Sequence, residues 1–333
     1  MGGSVLSLRA VSKSFPVRGQ RIGQPQRRLL AVAPLDLELE RGEILAIVGE
    51  SGCGKSTLGR IASFVTEPTS GTVAVDGVDP SSLSARDARL ARRGVQIVHQ
   101  DPYSALNPRK TVGQALVDPF LAHALASRRA ALRRVRDLLD LVGLHPPDEF
   151  LDRFPFELSG GQRQRVVIAR ALTVDPKVIV ADEAVSMVDV SLRQSILSTL
   201  RDLRDRLGVA YIFITHDLAL ADSFAGDHRS LVMYAGQIME YGPSADVVQR
   251  PQHPYTRLLH AALLDPDPAA NEGRDLAGFE GELPDLSEEL KGCPFAGRCP
   301  FVQEVCRSER PALVRRGGAQ AVACHFAGEP TPA

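Results

Sequence analysis

An α/β fold with a parallel sheet at its centre is predicted for this chain of 333 residues, and three observations carry that prediction. Short runs of β-branched residues alternate with stretches of helical periodicity, the pattern of strands joined by crossover helices. One such strand runs directly into a glycine-rich loop that opens a helix. Beyond Leu264 the composition changes abruptly to a polar linker, "DPDPAANEGRD", and then to a loop-rich tail with four cysteines.

The elements follow in order. "SVLSLRAV" and "LLAVAPLDLELE" read as strands, separated by the Arg-rich loop "PVRGQRIGQPQRR". "GEILAIVG" is a short apolar strand ending in glycine, and "KSTLGRIASFV" after it has helical spacing. "GTVAVDG" is a strand closed by a turn signal. From Pro102 to Leu172 the character is helical, with "SRRAALRRVRDLLDLVGL" the longest amphipathic stretch. "KVIVADE" and "VAYIFITHD" are strands of the buried type, with the helix "SLRQSILSTLRDLRDRLG" between them. Strands alternating with helices argue a parallel α/β core, with a helical subdomain at about 102–172 and a first domain ending near residue 265.

Composition narrows the function. Hydrophobic residues make up 44% and charged residues 24%, ordinary for a globular chain with a full core. A net charge of −1 gives no reason to expect a nucleic-acid partner. No run of about 18 apolar residues occurs, so a spanning helix is not expected. "MGGSVLSLRA" lacks the pattern of a secretory signal, and Leu6 stands where a myristoylation site needs Ser or Thr. The chain uses Arg for most of its positive charge and contains five lysines, so the position of each lysine is informative.

One of them is Lys55, in "GESGCGKST" (Gly49, Glu50, Ser51, Gly52, Cys53, Gly54, Lys55, Ser56, Thr57). This is G-x-x-x-x-G-K-[ST] between a predicted strand and a predicted helix, the phosphate loop of a P-loop NTPase. Its glycines let successive backbone N–H groups form an anion-binding nest, and the helix adds the positive end of its dipole. Lys55 supplies a point charge for the β- and γ-phosphates, and the Ser56 hydroxyl is a Mg²⁺ ligand. Cys53 is read as a small filler. At the end of "KVIVADE", Asp182 is a second Mg²⁺ ligand and Glu183 a general base for the attacking water.

"ELSGGQRQRVVIARAL" then decides the class. Ser159 can cap the helix that follows, leaving the amides of Gly160 and Gly161 free to meet a phosphate, with Gln162 beside them. The sequence here closely resembles the ATP-binding subunits of ABC transporters, whose signature "LSGGQ" is Leu158 to Gln162. The resemblance implies an ABC-type nucleotide-binding domain, working as a head-to-tail dimer that sandwiches two nucleotides between one subunit's P-loop and the other's signature. It also implies roles for Gln100 in "IVHQDPYSALNP" as a Mg²⁺ and water sensor leading to the membrane-subunit contact, and for Ser186–Asp189 as the loop crossing to the partner. His216 in "FITHD" would be the switch residue on the γ-phosphate, and Phe15 an aromatic stacked on adenine. The family usually reads "DEPTSALD" where this chain has "DEAVSMVD", so Ala184, Val185 and Met187 depart from it without replacing a charged group.

"QDPYSALNPRKTVGQAL", "HPYTRLLHAALL" and the cysteine tail resemble the oligopeptide/dipeptide permease branch over essentially the whole chain. That resemblance implies an importer: two integral-membrane permease subunits, a second ATPase subunit (a heterodimer, with a homodimer as the alternative), an extracytoplasmic solute-binding protein, and a peripheral position at the cytoplasmic face. Relatives carrying oligosaccharides or nickel keep the cargo open. Soluble ABC ATPases of DNA repair or translation are the rival class. They carry a long coiled coil between the two motifs or two cassettes per chain, and neither is present here. A regulatory module with a metal- or redox-sensing tail would be expected to have degenerate ATPase motifs, and these are intact.

Cys293, Cys299, Cys306 and Cys324 remain. In a reducing compartment stable disulfides are disfavoured, and four thiols within a short tail suggest a metal site. Zinc sites favour closely spaced pairs, which are lacking, whereas a [4Fe–4S] cluster takes four thiolates. The corresponding tail of the peptide-permease branch is associated with such a cluster. Zinc and unligated or oxidised thiols are the alternatives, with His325 an alternative ligand. A structural staple is the expected role, for a small cysteine-rich C-terminal extension spanning 266–333. Since the P-loop and signature lie outside this segment, nucleotide binding is expected to survive loss of a cysteine, with assembly of the complex the step exposed to damage.

Overall fold

The computed structural model describes residues 3–17, 27–262, 284–287, 290–315 and 318–328. The expected domain boundary at 265/266, the linker that contains it and most of the Arg-rich loop lie outside the described residues.

The chain begins with β1 (Ser4–Pro16) and β2 (Arg28–Glu40), an antiparallel pair. In "LDLELE" the leucines Leu35, Leu37 and Leu39 are buried and the acids between them are exposed, the alternation of a sheet with one wet face. β3 (Ile44–Val48), buried at every position, leads through the glycine loop into α1 (Lys55–Ala62), and β4 (Ser70–Val75) returns to pair with β1. β1, β2 and β4 thus form a separate three-stranded antiparallel sheet. Their alternating polarity suits a half-exposed face, which a central parallel strand does not have.

α2 (Ala85–Arg93) and β5 (Val95–Val98) precede the helical stretch, which contains α3 (Pro102–Ala105), α4 (Val112–Ala122), α5 (Arg128–Leu141), α6 (Asp148–Leu151) and α7 (Gly160–Leu172). Then come β6 (Val178–Asp182), α8 (Val190–Leu207), β7 (Ala210–Thr215), α9 (Leu218–Ala225), β8 (Arg229–Tyr234), β9 (Gln237–Pro243), α10 (Ser244–Gln249) and α11 (Pro254–Ala261). The main sheet has the order β10-β11-β9-β8-β3-β7-β6-β5, in which β10 is Val314–Arg315 and β11 is Ala321–Val322. Five strands, β8, β3, β7, β6 and β5, run parallel, and β9, β11 and β10 extend the β8 edge with antiparallel pairings.

The sheet is filled on both faces. Ile44, Ala46 and Val48 of β3 pack with the helices, while Leu45 and Ile47 pack against the small antiparallel sheet. Two-sided burial explains why β3, β6 and β7 read as continuous apolar runs. Parallel strands also place all their carboxyl ends at one edge, where ligands of open α/β sheets bind. The residues after β3, β5, β6 and β7 therefore converge although the sequence scatters them.

The described tail residues are seated on this framework. The Leu30 N–H donates to the Leu286 carbonyl (2.9 Å), β11 pairs with β9, and Phe295 is fully buried against Tyr234 and Tyr255. α12 (Glu304–Ser308) carries Cys306 into the same region. Among the described residues, no helix is long and apolar enough to cross a membrane.

Candidate nucleotide site

The glycine loop turns tightly between β3 and α1 because its backbone takes conformations closed to other residues. Gly54 has φ +104°, and a Cβ there would stand 2.3 Å from the Ala31 carbonyl oxygen. At Gly49 a Cβ would stand 2.1 Å from the Met233 carbonyl oxygen. Lys55 is only 4% exposed, and its ammonium donates to the Gly49 and Glu50 carbonyls at 2.6 and 2.8 Å, which centres the positive charge within the loop. Burial pushes the Cys53 thiol up, opposed by Lys55 beside it, so Cys53 stays a neutral filler as its place in the sequence suggested.

Two carboxylates stand next to this cradle. Asp182 ends β6, and its Oδ1 accepts a hydrogen bond from the Ser56 hydroxyl at 2.9 Å. Burial is the main cause of a raised Asp182 pKa, with Ser56, Arg60 and His99 opposing it and Glu183 adding to it. A hydroxyl and a carboxylate at this separation form a hard-oxygen donor set of the kind Mg²⁺ prefers. Glu183 follows in the left-handed region (φ +49°), tied by its N–H to the Ile214 carbonyl at 3.0 Å. Such conformations are costly and gather at functional positions. Its Oε2 is shared: Gln100 Nε2 lies at 3.1 Å, Ser186 Oγ at 3.2 Å and His216 Nδ1 at 3.6 Å. One carboxylate oxygen thus joins the segment after β5, the turn before α8 and the histidine after β7.

The departures in "DEAVSMVD" divide in two. Ala184 and Val185 are buried in the helix-side core and act as packing, whereas Met187 is 59% exposed.

α7 opens with a capping box, in which the Ser159 hydroxyl accepts from the Gln162 amide and Gln162 Oε1 accepts from the Ser159 amide. A cap of this kind stabilises a helix by about 1 kcal/mol. Ser159 and Gly160 are exposed within one chain. Arg163, nearly fully buried, donates to the Pro155 and Leu158 carbonyls (2.8 Å each) and stacks 3.7 Å from the Tyr103 ring centroid, linking the signature to the segment after Gln100. The sequence reading did not single out Arg163 or Tyr103. Phe15 pairs across β1 and β2 with Leu29, is 40% exposed and lies under the Lys13 ammonium at 5.2 Å. A cavity of about 500 Å³ opens between β5 and helices α4 and α7, lined by Gln96, His99, Lys110, Asp118, His123 and Arg170 among others.

Cys293, Cys299, Cys306 and Cys324 line one cavity, together with His253 and aromatic rings. Burial, reinforced by the neighbouring thiols, pushes Cys293 up to about 12 and Cys299 up to about 11. Among the described residues, no group of three or more His, Cys, Asp or Glu stands at metal-ligand spacing. His253 is fully buried, which holds it neutral with its pKa down at about 3, the Ala323 backbone opposing in part. Its Nδ1 accepts the Tyr255 N–H at 3.0 Å, which leaves the proton on Nε2, the nitrogen left for the Ala323 backbone.

Comparison with known proteins matches two stretches of the chain. Residues 32–186 match the family described as ABC transporter, and residues 239–306 match the oligopeptide/dipeptide transporter, C-terminal region. The chain is 43% identical over 325 residues to a probable peptide ABC transporter ATP-binding protein of Sinorhizobium fredii, covering 98% of this chain and 90% of that one. It is 42% identical to a di/tripeptide transport ATP-binding protein of Pseudomonas aeruginosa, covering 97% and 98%. Among solved structures, the dimeric, post-hydrolysis ATP-binding cassette MJ0796 bound to ADP and Pi superposes with a TM-score of 0.61 at 27% identity, over 72% of this chain and 98% of that one.

Proposed function

Because this chain belongs to the ATP-binding subunits of peptide ABC transporters, we propose that the convergent site at the carboxyl ends of β3, β5, β6 and β7 is where it binds and hydrolyses ATP. The chain is an ATPase that energises a peptide importer, acting as a dimer with membrane permease subunits. The observation that carries the residue assignments is the sharing of Glu183 Oε2 among Gln100, Ser186 and His216, next to the Ser56–Asp182 pair.

Backbone amides of Gly49 to Thr57 and the Lys55 ammonium hold the triphosphate. Ser56, Asp182 and Gln100 would hold Mg²⁺, whose positive charge would stabilise the negative charge developing on the phosphate oxygens. Glu183 accepts a proton from the attacking water, and His216 orients that water and the γ-phosphate. Phe15 stacks on adenine. Ser159, Gly160, Gly161 and Gln162 face the γ-phosphate held by the partner subunit, a reading supported by the exposure of Ser159 and Gly160 in a single chain. The partner is a second, different ATPase, and an external solute-binding protein delivers the peptide. The groove beside Gln100 receives the permease, which places the subunit at the cytoplasmic face of the membrane. In this division residues 1–265 are the ATPase domain and 266–333 the cysteine-bearing extension.

The four thiols also suit a [4Fe–4S] cluster in donor type, since all four line one cavity. Anaerobically purified protein is then expected to be brown, with iron and acid-labile sulfide each near four per chain. Cys306→Ser is expected to bleach it. Colourless protein with one zinc per chain would replace the cluster by zinc. The importer reading itself is tested by copurification: two polytopic permease subunits and a second ATPase should accompany the tagged chain, and recovery of a ribosomal or DNA-repair complex without them would overturn it.

A further inference from the structure

Glu50 puts a carboxylate on the loop that must hold a triphosphate, and the tail takes hold of it. Arg298 Nη1 donates to Glu50 Oε2 at 2.8 Å and Nη2 to Oε1 at 3.0 Å. The Arg298 side chain is 6% exposed and that of Glu50 27%, so this is a largely buried, bidentate pair. The Glu50 N–H donates to Tyr255 Oη at 2.9 Å, and Tyr234 Oη lies 3.4 Å from Arg298 Nη1. Tyr234, Tyr255 and Phe295 fill the space behind, with ring centroids 4.7, 5.3 and 5.4 Å apart. Arg298 immediately precedes Cys299, and its own amide donates to the Phe295 carbonyl at 3.0 Å.

We propose that Arg298 is a positioning residue for nucleotide binding: by neutralising Glu50 and drawing it towards the tail, it keeps a like charge off the bound phosphates. The physical reason is electrostatic. An unpaired carboxylate on the phosphate loop repels the triphosphate in surroundings that screen it less than water does. The guanidinium removes that charge, and its planar fork fixes the direction of the carboxylate, which a lysine could not do. It follows that nucleotide affinity depends on the folding of the loop between Cys293 and Cys299.

The proposal rests on the assignment of the P-loop as the ATP site, and not on which group the cysteines bind. Its test is Mg-ATP affinity of the full isolated chain, measured with a fluorescent ATP analogue, alongside the melting temperature without nucleotide. Arg298→Ala is expected to weaken binding about tenfold, and adding Glu50→Gln in the same chain is expected to return affinity to within about threefold of wild type, because the exposed charge is gone. Arg298→Gln, which keeps bulk and a donor while removing the charge, serves if the alanine variant does not fold, with the same two results expected. Unchanged affinity with a lowered melting temperature would mean the pair only staples the tail. A loss of affinity that Glu50→Gln does not relieve would also overturn the proposal. Failure of the wild-type chain to bind Mg-ATP would instead remove the nucleotide reading on which it rests.

Discussion

Glu183→Gln is expected to lower steady-state ATP turnover of the assembled transporter by roughly 10²–10⁴ while leaving Mg-ATP affinity within about threefold of wild type. The substitution keeps the shape of the side chain and removes its ability to take a proton. Gln100, Ser186 and His216 all meet the same oxygen, Oε2, so a carboxamide there still has hydrogen-bond partners and the loops keep their places. The backbone at Glu183 is in the left-handed region and tied to Ile214, and this too is independent of charge. Near-wild-type turnover would move the base to another residue. Lys55→Ala is the contrasting case: the buried ammonium sits inside the loop, so its loss should weaken nucleotide binding itself.

Gly160→Asp should be almost as damaging to turnover, by roughly 10²–10³, the range seen when an oxyanion contact is removed. Within one chain the substitution is benign. A Cβ at Gly160 meets nothing within 4 Å, and an acidic residue in the first turn of α7 suits the helix dipole. Melting temperature should therefore hold or rise slightly, and the isolated variant should still bind nucleotide at its own P-loop. Failure should appear only across the dimer, where the new carboxylate faces the partner's γ-phosphate. Light scattering with Mg-ATP in a Glu183→Gln background would register the loss of pairing. A variant that pairs and turns over normally would remove the signature from the interface.

The catalytic elements were legible because each is written in contiguous residues. A nest of backbone amides needs its glycines within one loop, a capping box needs Ser159 and Gln162 three apart, and a two-sided buried strand leaves an unbroken apolar run before Asp182. What joins these pieces is not contiguous. Gln100, Ser186 and His216 meet Glu183 because β5, β6 and β7 lie side by side and parallel, an order set by packing rather than by any local pattern. The small sheet of β1, β2 and β4 escaped for a related reason: alternation marks a wet face without saying which sheet owns the strand.

The tail shows the limit most sharply. Its composition alone revealed four cysteines that require an explanation, and nothing in "GESGCGKST" or "GCPFAGRC" announces that Glu50 and Arg298 form a pair. They stand 248 residues apart, and an ion pair imposes no periodicity on either segment. Only the chain's return across the sheet, with β11 on β9 and Phe295 packed against Tyr234 and Tyr255, brings the guanidinium to the phosphate loop, because burial of those rings seats the arginine where its fork meets the Glu50 carboxylate.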